Sequence, residues 1–458
     1  MSTLKTLSAA VTFLLLPLYT LSATPPDSLP NIIFILTDDM GYSDISCFGG
    51  QFVPTPNIDG LAKNGRKFTQ YYSAAPICSP SRAGLITGMY PGRWNFSTYL
   101  DNKKHNSNAQ QADFLDTTAP SIARFFQQAG YATAHFGKWH LGGGRDVKNA
   151  PGFEHYGYDE HISTYESPDP DPLITATNWI WSDKDSIKRW DRTKYFVDKT
   201  LDFLSKHKGQ PCFINLWPDD MHTPWVPRKD NGTYPSNPEE EAAFKLVLKE
   251  YDVQMGRLFE GLKELGIDKN TIIIFTSDNG PLPSFKGSRA GGLRGSKLSL
   301  YEGGTNMPFI VSWPGHIPAG TTDESSVISA VDMLPTLAKL GHVPLPKNYP
   351  GDGVDKSKVL LGKPAARQQD LFWEYGRNNI AFKYPEGKDK SPNLAVRSGY
   401  WKLIMNNDGT DIQLYNIKKD KYETTNVADS QPATVAKLKE KLLAWWASLP
   451  KLQMPIVK

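Results

Sequence analysis

The sequence predicts an α/β fold, in which a large, mostly parallel sheet is sandwiched by helices and followed by a smaller α+β domain. Three observations support this prediction: continuous apolar runs that end in polar clusters, helical patterns between those runs, and alternating short strands beyond Gly351. A chain of 458 residues exceeds what one hydrophobic core usually serves. We therefore expect a large domain at 24–350 and a small domain at 351–458.

Four apolar runs have the continuous character of strands that are covered on both faces of a sheet. Two helical patterns lie between them, at 121–130 and 241–266, and Gly266 closes the second. This order predicts helices on both faces of a parallel sheet. The four runs are 31–37, 131–137, 213–218 and 271–277.

The C-terminal part shows a different pattern, in which apolar and polar residues alternate over short strands. An amphipathic helix is expected at 432–449, after the last of these strands. Half-buried strands of this kind predict an antiparallel sheet with a helix on one face. The expected strands lie within 371–379, 394–407 and 411–417.

Composition and charge exclude several classes of protein. The chain is 39% hydrophobic, 12% aromatic and 22% charged, as is usual for a globular protein and not for a disordered one. A formal charge of +3 with no basic stripe argues against a nucleic-acid partner. Any recognition of an anion is therefore expected to be local.

The first 23 residues have the pattern of a cleaved signal peptide. Lys5 precedes a short apolar run that contains Pro17, and Leu21-Ser22-Ala23 suits signal peptidase. The run is too short and too broken for a preferred membrane span, so no stable membrane insertion is expected after cleavage. We expect an exported protein, periplasmic or secreted if bacterial and lysosomal or extracellular if eukaryotic.

Three cysteines are too few for a disulfide framework in an exported chain, and their odd number leaves at least one unpaired or modified. For Cys47 and Cys212, two alternatives remain open: buried small hydrophobic residues, or one bridge between the two. Cys78 stands apart because of the residues that follow it.

Two of the polar clusters offer only oxygen ligands. Asp38 and Asp39 follow the first apolar run, and Asp278 and Asn279 follow the last. Ligands bind at the carboxyl ends of parallel strands, where these side chains would meet. Oxygen donors favour calcium or magnesium over zinc, and three carboxylates so close together would repel one another without a cation.

The other two polar clusters offer nitrogen donors. Lys138 and His140 follow the second run, and His222 follows the third. Lys297 adds a cation in a glycine-flanked loop. These side chains can bind an anion and exchange protons near neutral pH.

The stretch around Cys78 predicts the start of a helix. Ser79 is expected to cap it, Pro80 suits its first position and Gly88 can end it. Arg82 would then lie in or near the first turn. A group carried by residue 78 would face an anion-binding site, because helix N-termini are positive.

The sequence resembles the type I sulfatases, the arylsulfatase-like branch of the alkaline phosphatase superfamily. Cys78-Ser79-Pro80-Ser81-Arg82 matches the C-x-P-x-R signature of that family, and Met89 departs from it where an arginine is frequent. The departure lies outside the core of the signature. Further matching stretches are TDDMGYSD at 37–44, GKWHLG at 137–142, SDNG at 277–280 and GSKLSLYEGG at 295–304.

The resemblance implies a sulfuric ester hydrolase that carries a Cα-formylglycine, made from Cys78 by a formylglycine-generating or anaerobic sulfatase-maturing enzyme. By resemblance, Arg82 and Lys138 position the hydrated aldehyde, and Lys297 and His222 bind the sulfate ester. His140 would take a proton from the second hydroxyl of the hydrate. The metal, most often calcium in the family, would be held by Asp38, Asp39, Asp278 and Asn279.

Two other functions compete with this interpretation. Related enzymes use the same nucleophile signature on phosphodiesters or phosphonate monoesters. A non-catalytic binder of sulfated glycans, with Cys78 left unmodified, is the third hypothesis.

A polar, aromatic insert at 157–195 bears on the substrate, which we expect to be a sulfated carbohydrate. Its residues Trp179 and Trp181 either line a specificity pocket or pack on the domain under a surface loop. In the C-terminal domain, Arg377 and Asn378 either reach the substrate or form a turn.

Overall fold

The computed structural model describes residues 29–228, 240–381 and 385–450. The expected signal peptide at 1–23 lies outside these residues. None of the helices in the described ranges is both long and apolar enough to cross a membrane.

The larger sheet has nine strands in the order β4-β3-β5-β1-β6-β7-β2-β8, and β9 pairs with β2. Every pairing is parallel except the two made by β7, so the expected mostly parallel sheet is confirmed. The four runs predicted from sequence are neighbouring central strands, β3, β5, β1 and β6. The strands are β1 (Asn31–Thr37), β2 (Arg66–Tyr72), β3 (Ala132–Gly137), β4 (Glu160–Ser163), β5 (Cys212–Trp217), β6 (Thr271–Ser277), β7 (Asn306–Ser312), β8 (Thr321–Asp323) and β9 (Ile328–Ser329).

Helices cover both faces of this sheet, as predicted. The two helical patterns of the sequence correspond to α4 and α6, and Gly266 adopts a left-handed φ of 69° just beyond α6. The helices are α1 (Pro56–Lys63), α2 (Cys78–Thr87), α3 (Lys103–Asn108), α4 (Ile122–Gln128), α5 (Arg192–Lys206), α6 (Glu241–Glu264), α7 (Glu302–Thr305), α8 (Met333–Leu340) and α9 (Ser357–Leu360).

Strand β1 shows why continuous apolar runs are needed at the centre. Ile32 and Phe34 belong to the core that is shared with α2, α4 and α8. Ile33 and Ile35 point to the opposite face and join the core shared with α1, α5 and α6. Each buried aliphatic side chain contributes roughly 1.5–3 kcal/mol, so the strand is fixed from both sides.

The C-terminal strands form a separate antiparallel sheet, as expected. Its order is β10-β11-β12-β13, and helix α10 (Pro432–Ala447) packs on it through Leu438, Leu442 and Trp445. The strands are β10 (Leu371–Glu374), β11 (Leu394–Ser398), β12 (Trp401–Met405) and β13 (Gln413–Asn416).

A buried charge cluster joins the two sheets. The ammonium group of Lys402 on β12 lies 2.8 Å from Glu302 of α7 and 3.1 Å from Glu423 beyond β13. Burial raises the pKa of Glu423 to about 7 despite Lys402, and the neighbouring Glu302 carboxylate also raises it. One lysine thus holds two carboxylates, and Glu423 carries a proton more readily than Glu302.

The start of α2 differs from the prediction. The helix begins at Cys78 itself, with Ile77 as the residue before it, and the Ser81 N–H donates to the Ile77 carbonyl at 3.1 Å. The expected cap by Ser79 is wrong, because the Ser79 hydroxyl accepts the Leu100 N–H at 3.0 Å instead. The predicted end is confirmed, since Gly88 has a φ of 65°.

Candidate active site

The polar clusters predicted from sequence meet at one edge of the larger sheet. Asp38 and Asp39 follow β1, and Asp278 and Asn279 follow β6, which pairs with β1 in parallel register. The neighbouring strands β3 and β5 end at the same edge and lead into Lys138, His140 and His222. The parallel topology therefore brings segments more than 200 residues apart into one group.

The oxygen ligands are linked directly to one another. The Asp39 N–H donates to Asp278 Oδ1 at 3.1 Å, and Asn279 Nδ2 donates to Asp39 Oδ1 at 2.7 Å. Asp38, Asp39 and Asn279 are fully buried and Asp278 is nearly so. Three carboxylates and one amide are thereby held in a single buried cluster.

Arg82 balances part of this negative charge. Its Nη2 lies 2.7 Å from Asp278 Oδ2 and 3.2 Å from Asp38 Oδ1, and its Nη1 donates to the Lys138 carbonyl at 2.7 Å. Burial opposes ionisation of Asp38, but Lys138, His222 and Arg82 hold the pKa of Asp38 well below its usual value. The guanidinium thus ties α2 to the ends of β1, β3 and β6.

Two ammonium groups and one imidazole complete the positive side of the site. Lys138 Nζ lies 2.9 Å from Asp38 Oδ2, and Lys297 Nζ lies 2.6 Å from Asp39 Oδ2. His222 Nε2 is 3.6 Å from the same Asp39 oxygen, while its Nδ1 is 2.6 Å from the Thr223 carbonyl. Burial and the Lys297 charge lower the pKa of His222.

Cys78 lies at the centre of these groups. Its Sγ is 3.6 Å from Asp38 Oδ1 and 3.6 Å from Lys138 Nζ, and only 2% of the residue is exposed. Burial raises the pKa of the thiol. All three cysteines are unpaired in the structure, so Cys47 and Cys212 form no bridge.

The oxygen cluster has the chemistry of a divalent-cation site. Asn279 Oδ1 is buried and has no hydrogen-bond partner among the described residues. Burial and the charges of Asp38 and Asp39 raise the pKa of Asp278 to about 7, although Arg82 opposes them. Three carboxylates and a free amide oxygen fit a hard cation such as calcium or magnesium.

His140 is held as a neutral imidazole with a defined tautomer. Its Nε2 lies 3.0 Å from the Leu100 carbonyl, which can only accept, so Nε2 carries the hydrogen. Within the described residues, Nδ1 is buried without a partner. Burial lowers the pKa of His140 to about 3. The free lone pair of Nδ1 is therefore available to accept a proton.

Glu166 is a site residue that the sequence analysis missed. Its carboxylate lies 3.5 Å from Lys138 Nζ and 3.4 Å from His140 Nε2, and it accepts the Tyr165 hydroxyl at 2.9 Å. Burial would raise the pKa of Glu166, but His140 and Lys138 bring it down to about 2. In the sequence, the one indication of a site residue is the position of Glu166 just beyond strand β4. That strand was not predicted, because the segment 157–195 was expected to be a loop.

The insert at 157–195 is part strand and part loop, since β4 pairs with β3 inside it. Trp179 is 55% exposed, and its ring lies 6.1 Å from that of Tyr165 and 5.8 Å from the Arg145 guanidinium. Tyr165 contacts Glu166, so Trp179 lies near the site. Trp181 is half-buried.

Arg377 and Asn378 belong to a different set of contacts. Arg377 pairs with Glu374 at 3.0 Å and donates to the Gln110 carbonyl at 3.2 Å. Asn378 Nδ2 donates to the Asn108 carbonyl at 2.7 Å. The structure thus places both side chains between the C-terminal sheet and the 108–110 segment, without a contact to the oxygen cluster.

Comparisons with known proteins identify relatives of the whole chain. The family model described as "Sulfatase" matches residues 30–343, and the model "N-sulphoglucosamine sulphohydrolase, C-terminal" matches residues 296–447. The N-acetylgalactosamine-6-O-sulfatase of Bacteroides thetaiotaomicron is 29% identical, over 90% of this chain and 92% of that protein. Human arylsulfatase A is 31% identical, over 81% of this chain and 74% of that protein.

Solved structures show the same fold. One comes from work on the metabolism of multiple glycosaminoglycans by Bacteroides thetaiotaomicron; it superposes with a TM-score of 0.75 at 27% identity, over 91% of this chain and 99% of that chain. Another is Ps i-CgsB in complex with k-i-k-neocarrahexaose, with a TM-score of 0.76 at 25% identity, over 93% of this chain and 95% of that chain.

Proposed function

The chain belongs to the sulfatase family of the alkaline phosphatase superfamily and is a sulfuric ester hydrolase, and we propose that it removes sulfate from a sulfated carbohydrate. Its relatives include an N-acetylgalactosamine-6-O-sulfatase and a protein bound to a neocarrahexaose. The single observation that carries the proposed chemistry is the position of Cys78 Sγ, 3.6 Å from both a buried carboxylate and a buried ammonium group.

We propose that Cys78 is converted to Cα-formylglycine by a formylglycine-generating or anaerobic sulfatase-maturing enzyme. When present, the hydrated aldehyde supplies a nucleophilic hydroxyl and a second hydroxyl through which sulfate can be released. Support comes from the burial of the thiol and from the C-x-P-x-R signature that begins α2. Arg82 and Lys138 would hold residue 78 in place through their contacts with Asp38.

We assign the metal to Asp38, Asp39, Asp278 and Asn279, with calcium as the preferred ion and magnesium as the second choice. When bound, the ion supplies positive charge that offsets the three carboxylates and polarises oxygen atoms. The unpartnered amide oxygen of Asn279 and the raised pKa of Asp278 support this assignment.

The remaining side chains divide into anion binding and proton transfer. Lys138 and Lys297 present two ammonium groups to the sulfate oxygens. His222 and Lys297 would deliver a proton to the leaving alcohol oxygen, because both lie within 3.6 Å of the same Asp39 oxygen, Oδ2. His140 would accept a proton at Nδ1 from residue 78, since its Nε2–H is already committed to the Leu100 carbonyl.

We further propose that the mature protein is exported after removal of 1–23, and that the catalytic and C-terminal domains divide near residue 350. The apolar run after Lys5 supports the first proposal. The separate C-terminal sheet supports the second.

A substrate comparison tests the function. The purified, matured enzyme is expected to hydrolyse sulfated mono- and oligosaccharides, while activity confined to aryl or steroid sulfates would reject a carbohydrate substrate. A strong preference for phosphodiesters or phosphonate monoesters would show that the enzyme is the phosphoryl-transfer variant of the same superfamily.

Mass spectrometry of the peptide that contains Cys78 tests the modification. Conversion of the thiol to the aldehyde lowers the peptide mass by about 18 Da. An active protein that retains the thiol would contradict the proposed chemistry, and an inactive protein that binds sulfated glycans with Cys78 intact would be a binding module.

A further inference from the structure

A second cleft, with a volume of about 820 Å³, lies between the larger sheet and the C-terminal sheet. Tyr42 and Leu293 line one side, and the turn at 417–424 lines the other together with Tyr400. Tyr72, the last residue of β2, also lines it. Because β2 runs parallel to β1, Tyr72 lies at the same end of the sheet as the active site.

The cleft begins close to the site. Tyr42 follows Asp39 by three residues and Leu293 precedes Lys297 by four. A chain extends at most about 3.6 Å per residue, so these Cα atoms lie within roughly 11 and 14 Å of the two site residues. These separations are ones that a chain of a few sugars can span.

Exposed tyrosines on this surface are paired with lysines. Tyr400 is 52% exposed and Tyr422 is 41% exposed. Lys418 Nζ lies 4.8 Å from the centre of the Tyr400 ring, and Lys421 Nζ lies 4.9 Å from that of Tyr422. Aromatic faces pack against the C–H faces of sugars, and the adjacent ammonium groups suit sulfate oxygens. We call the surface of Tyr42, Tyr400, Lys418, Lys419, Lys421 and Tyr422 the tyrosine–lysine cleft.

The three lysines of the cleft are available to bind an anionic ligand. None of its three lysines forms an ion pair within the described residues. Asp420 accepts the N–H groups of Thr424 and Thr425 at 2.8 and 2.9 Å, and Glu302 is held by Lys402. Two of the three carboxylates that line the cleft are thus committed to the protein, and only Glu324 is without such a partner in the described part of the chain.

We propose that the tyrosine–lysine cleft binds a sulfated sugar of the same chain whose sulfate ester is hydrolysed at the active site. The inference rests on the proposed carbohydrate substrate and adds that the substrate is an oligosaccharide or polymer with more than one sulfate. The cleft then raises affinity for long chains and leaves the hydrolysis of small esters unchanged.

Binding provides the first test, with hydrolysis blocked by C78A. Titration calorimetry uses sulfated hexasaccharides from chondroitin sulfate, heparan sulfate and ι-carrageenan, each with its desulfated counterpart. The triple variant K418Q/K419Q/K421Q and the double variant Y400A/Y422A are expected to bind the preferred sulfated hexasaccharide about tenfold more weakly. Added salt is expected to weaken wild-type binding more than binding by the triple variant.

Control variants distinguish binding by the cleft lysines from an effect of the overall charge of the protein. K63Q/K249Q/K269Q removes the same charge from exposed lysines outside the cleft and is expected to bind like wild type. E324Q removes the uncommitted carboxylate and is expected to tighten binding about twofold. The proposal is overturned if no sulfated hexasaccharide binds, if the triple variant binds like wild type, or if two hexasaccharides bind to each protein independently.

Values of kcat/KM for a long and a short substrate distinguish failure of the cleft proposal from failure of the proposed sulfatase function. In the matured enzyme, the triple variant is expected to lower kcat/KM about tenfold for the hexasaccharide and to leave kcat/KM for 4-nitrophenyl sulfate unchanged. Equal kcat/KM values for the hexasaccharide in variant and wild type would overturn the inference while the sulfatase activity stands. If wild type hydrolyses no sulfate ester, the proposed function fails and the binding experiment still decides the cleft.

Discussion

Single residues at the site show what a sequence can and cannot predict. The seven candidate residues selected by type and by position after apolar runs meet in the structure, because parallel strands bring their carboxyl ends to one edge. Cys78 and Arg82, selected by the C-x-P-x-R signature, and Lys297, selected in a glycine-flanked loop, contact the same group. Their assigned roles remain proposals. Glu166 was missed because a single glutamate in a polar insert has no spacing that distinguishes it from a solvated charge.

The contacts of Glu166 predict a measurable role. E166Q removes the carboxylate that raises the pKa of His140, so the imidazole becomes a weaker base. We expect kcat on 4-nitrophenyl sulfate at pH 7 to fall about tenfold with a smaller change in KM. E154Q, at an exposed glutamate, provides the control. A kcat within twofold of wild type would show that Glu166 does not act through His140.

Metal removal tests the oxygen cluster. Without a cation, the cluster keeps three buried carboxylates and an unpartnered amide oxygen. EGTA is therefore expected to abolish activity and to lower Tm by several degrees in differential scanning calorimetry, and excess calcium is expected to restore both. N279A should need more calcium for the same recovery. A protein whose Tm and activity are indifferent to EGTA and EDTA would contradict the assignment.

At the scale of elements, helix α2 shows the limit of local signals. Its C-terminal glycine could be predicted from the requirement for a left-handed conformation, but its first residue could not. The Ser79 hydroxyl accepts a hydrogen bond from the N–H of Leu100, which is 21 residues away. A capping rule based on neighbouring residues cannot predict such a partner. Strand β4 could not be predicted from the sequence for a similar reason, because its pairing with β3 is a tertiary contact.

Gly88 fixes where α2 ends, and so helps to hold the segment that carries residue 78. An alanine Cβ at this position would meet the Tyr349 hydroxyl at 2.0 Å, and φ is 65°. G88A is expected to lower the free energy of unfolding by about 1–3 kcal/mol in urea titrations.

Gly60 gives the matched control for that prediction. It lies inside α1, and an added Cβ would meet nothing within 4 Å. G60A is expected to stabilise the protein by about 0.5–1 kcal/mol. A G88A protein as stable as wild type would show that the turn after α2 tolerates a side chain.

At the scale of the whole molecule, the Lys402 cluster couples the two sheets and responds to pH. The pKa of Glu423 is about 7 in the folded protein and near its ordinary value in the unfolded chain, so folding favours its protonated form. The resulting stability is present below about pH 4.5 and is lost as pH rises through about 7.

The variant E423Q is expected to remove this dependence of the unfolding free energy on pH. Between pH 5 and 8, wild type is expected to lose on the order of 2–3 kcal/mol of unfolding free energy relative to E423Q, measured by urea titration at each pH. E440Q, at an exposed glutamate on α10, should follow wild type. Parallel pH profiles for wild type and E423Q would contradict the raised pKa of Glu423.

The overall architecture was largely accessible from the sequence, whereas the antiparallel strand β7 was not. Continuous apolar runs predicted the central strands because both faces of this sheet are covered. The reversal at β7 depends on how the chain returns from α7, and no local pattern encodes strand direction. Strand β2, which pairs with β7, contributes Tyr72 to the lining of the second cleft.

The burial of Cys78 sets an order in time. Because 2% of the residue is exposed and its Sγ contacts Asp38 and Lys138, we expect a maturing enzyme to act on the thiol before the chain folds. Under the proposed chemistry, a molecule that folds before it is modified becomes a stable but inactive product. The specific activity of a preparation would then depend on the rate of modification relative to the rate of folding in the cell that produced it.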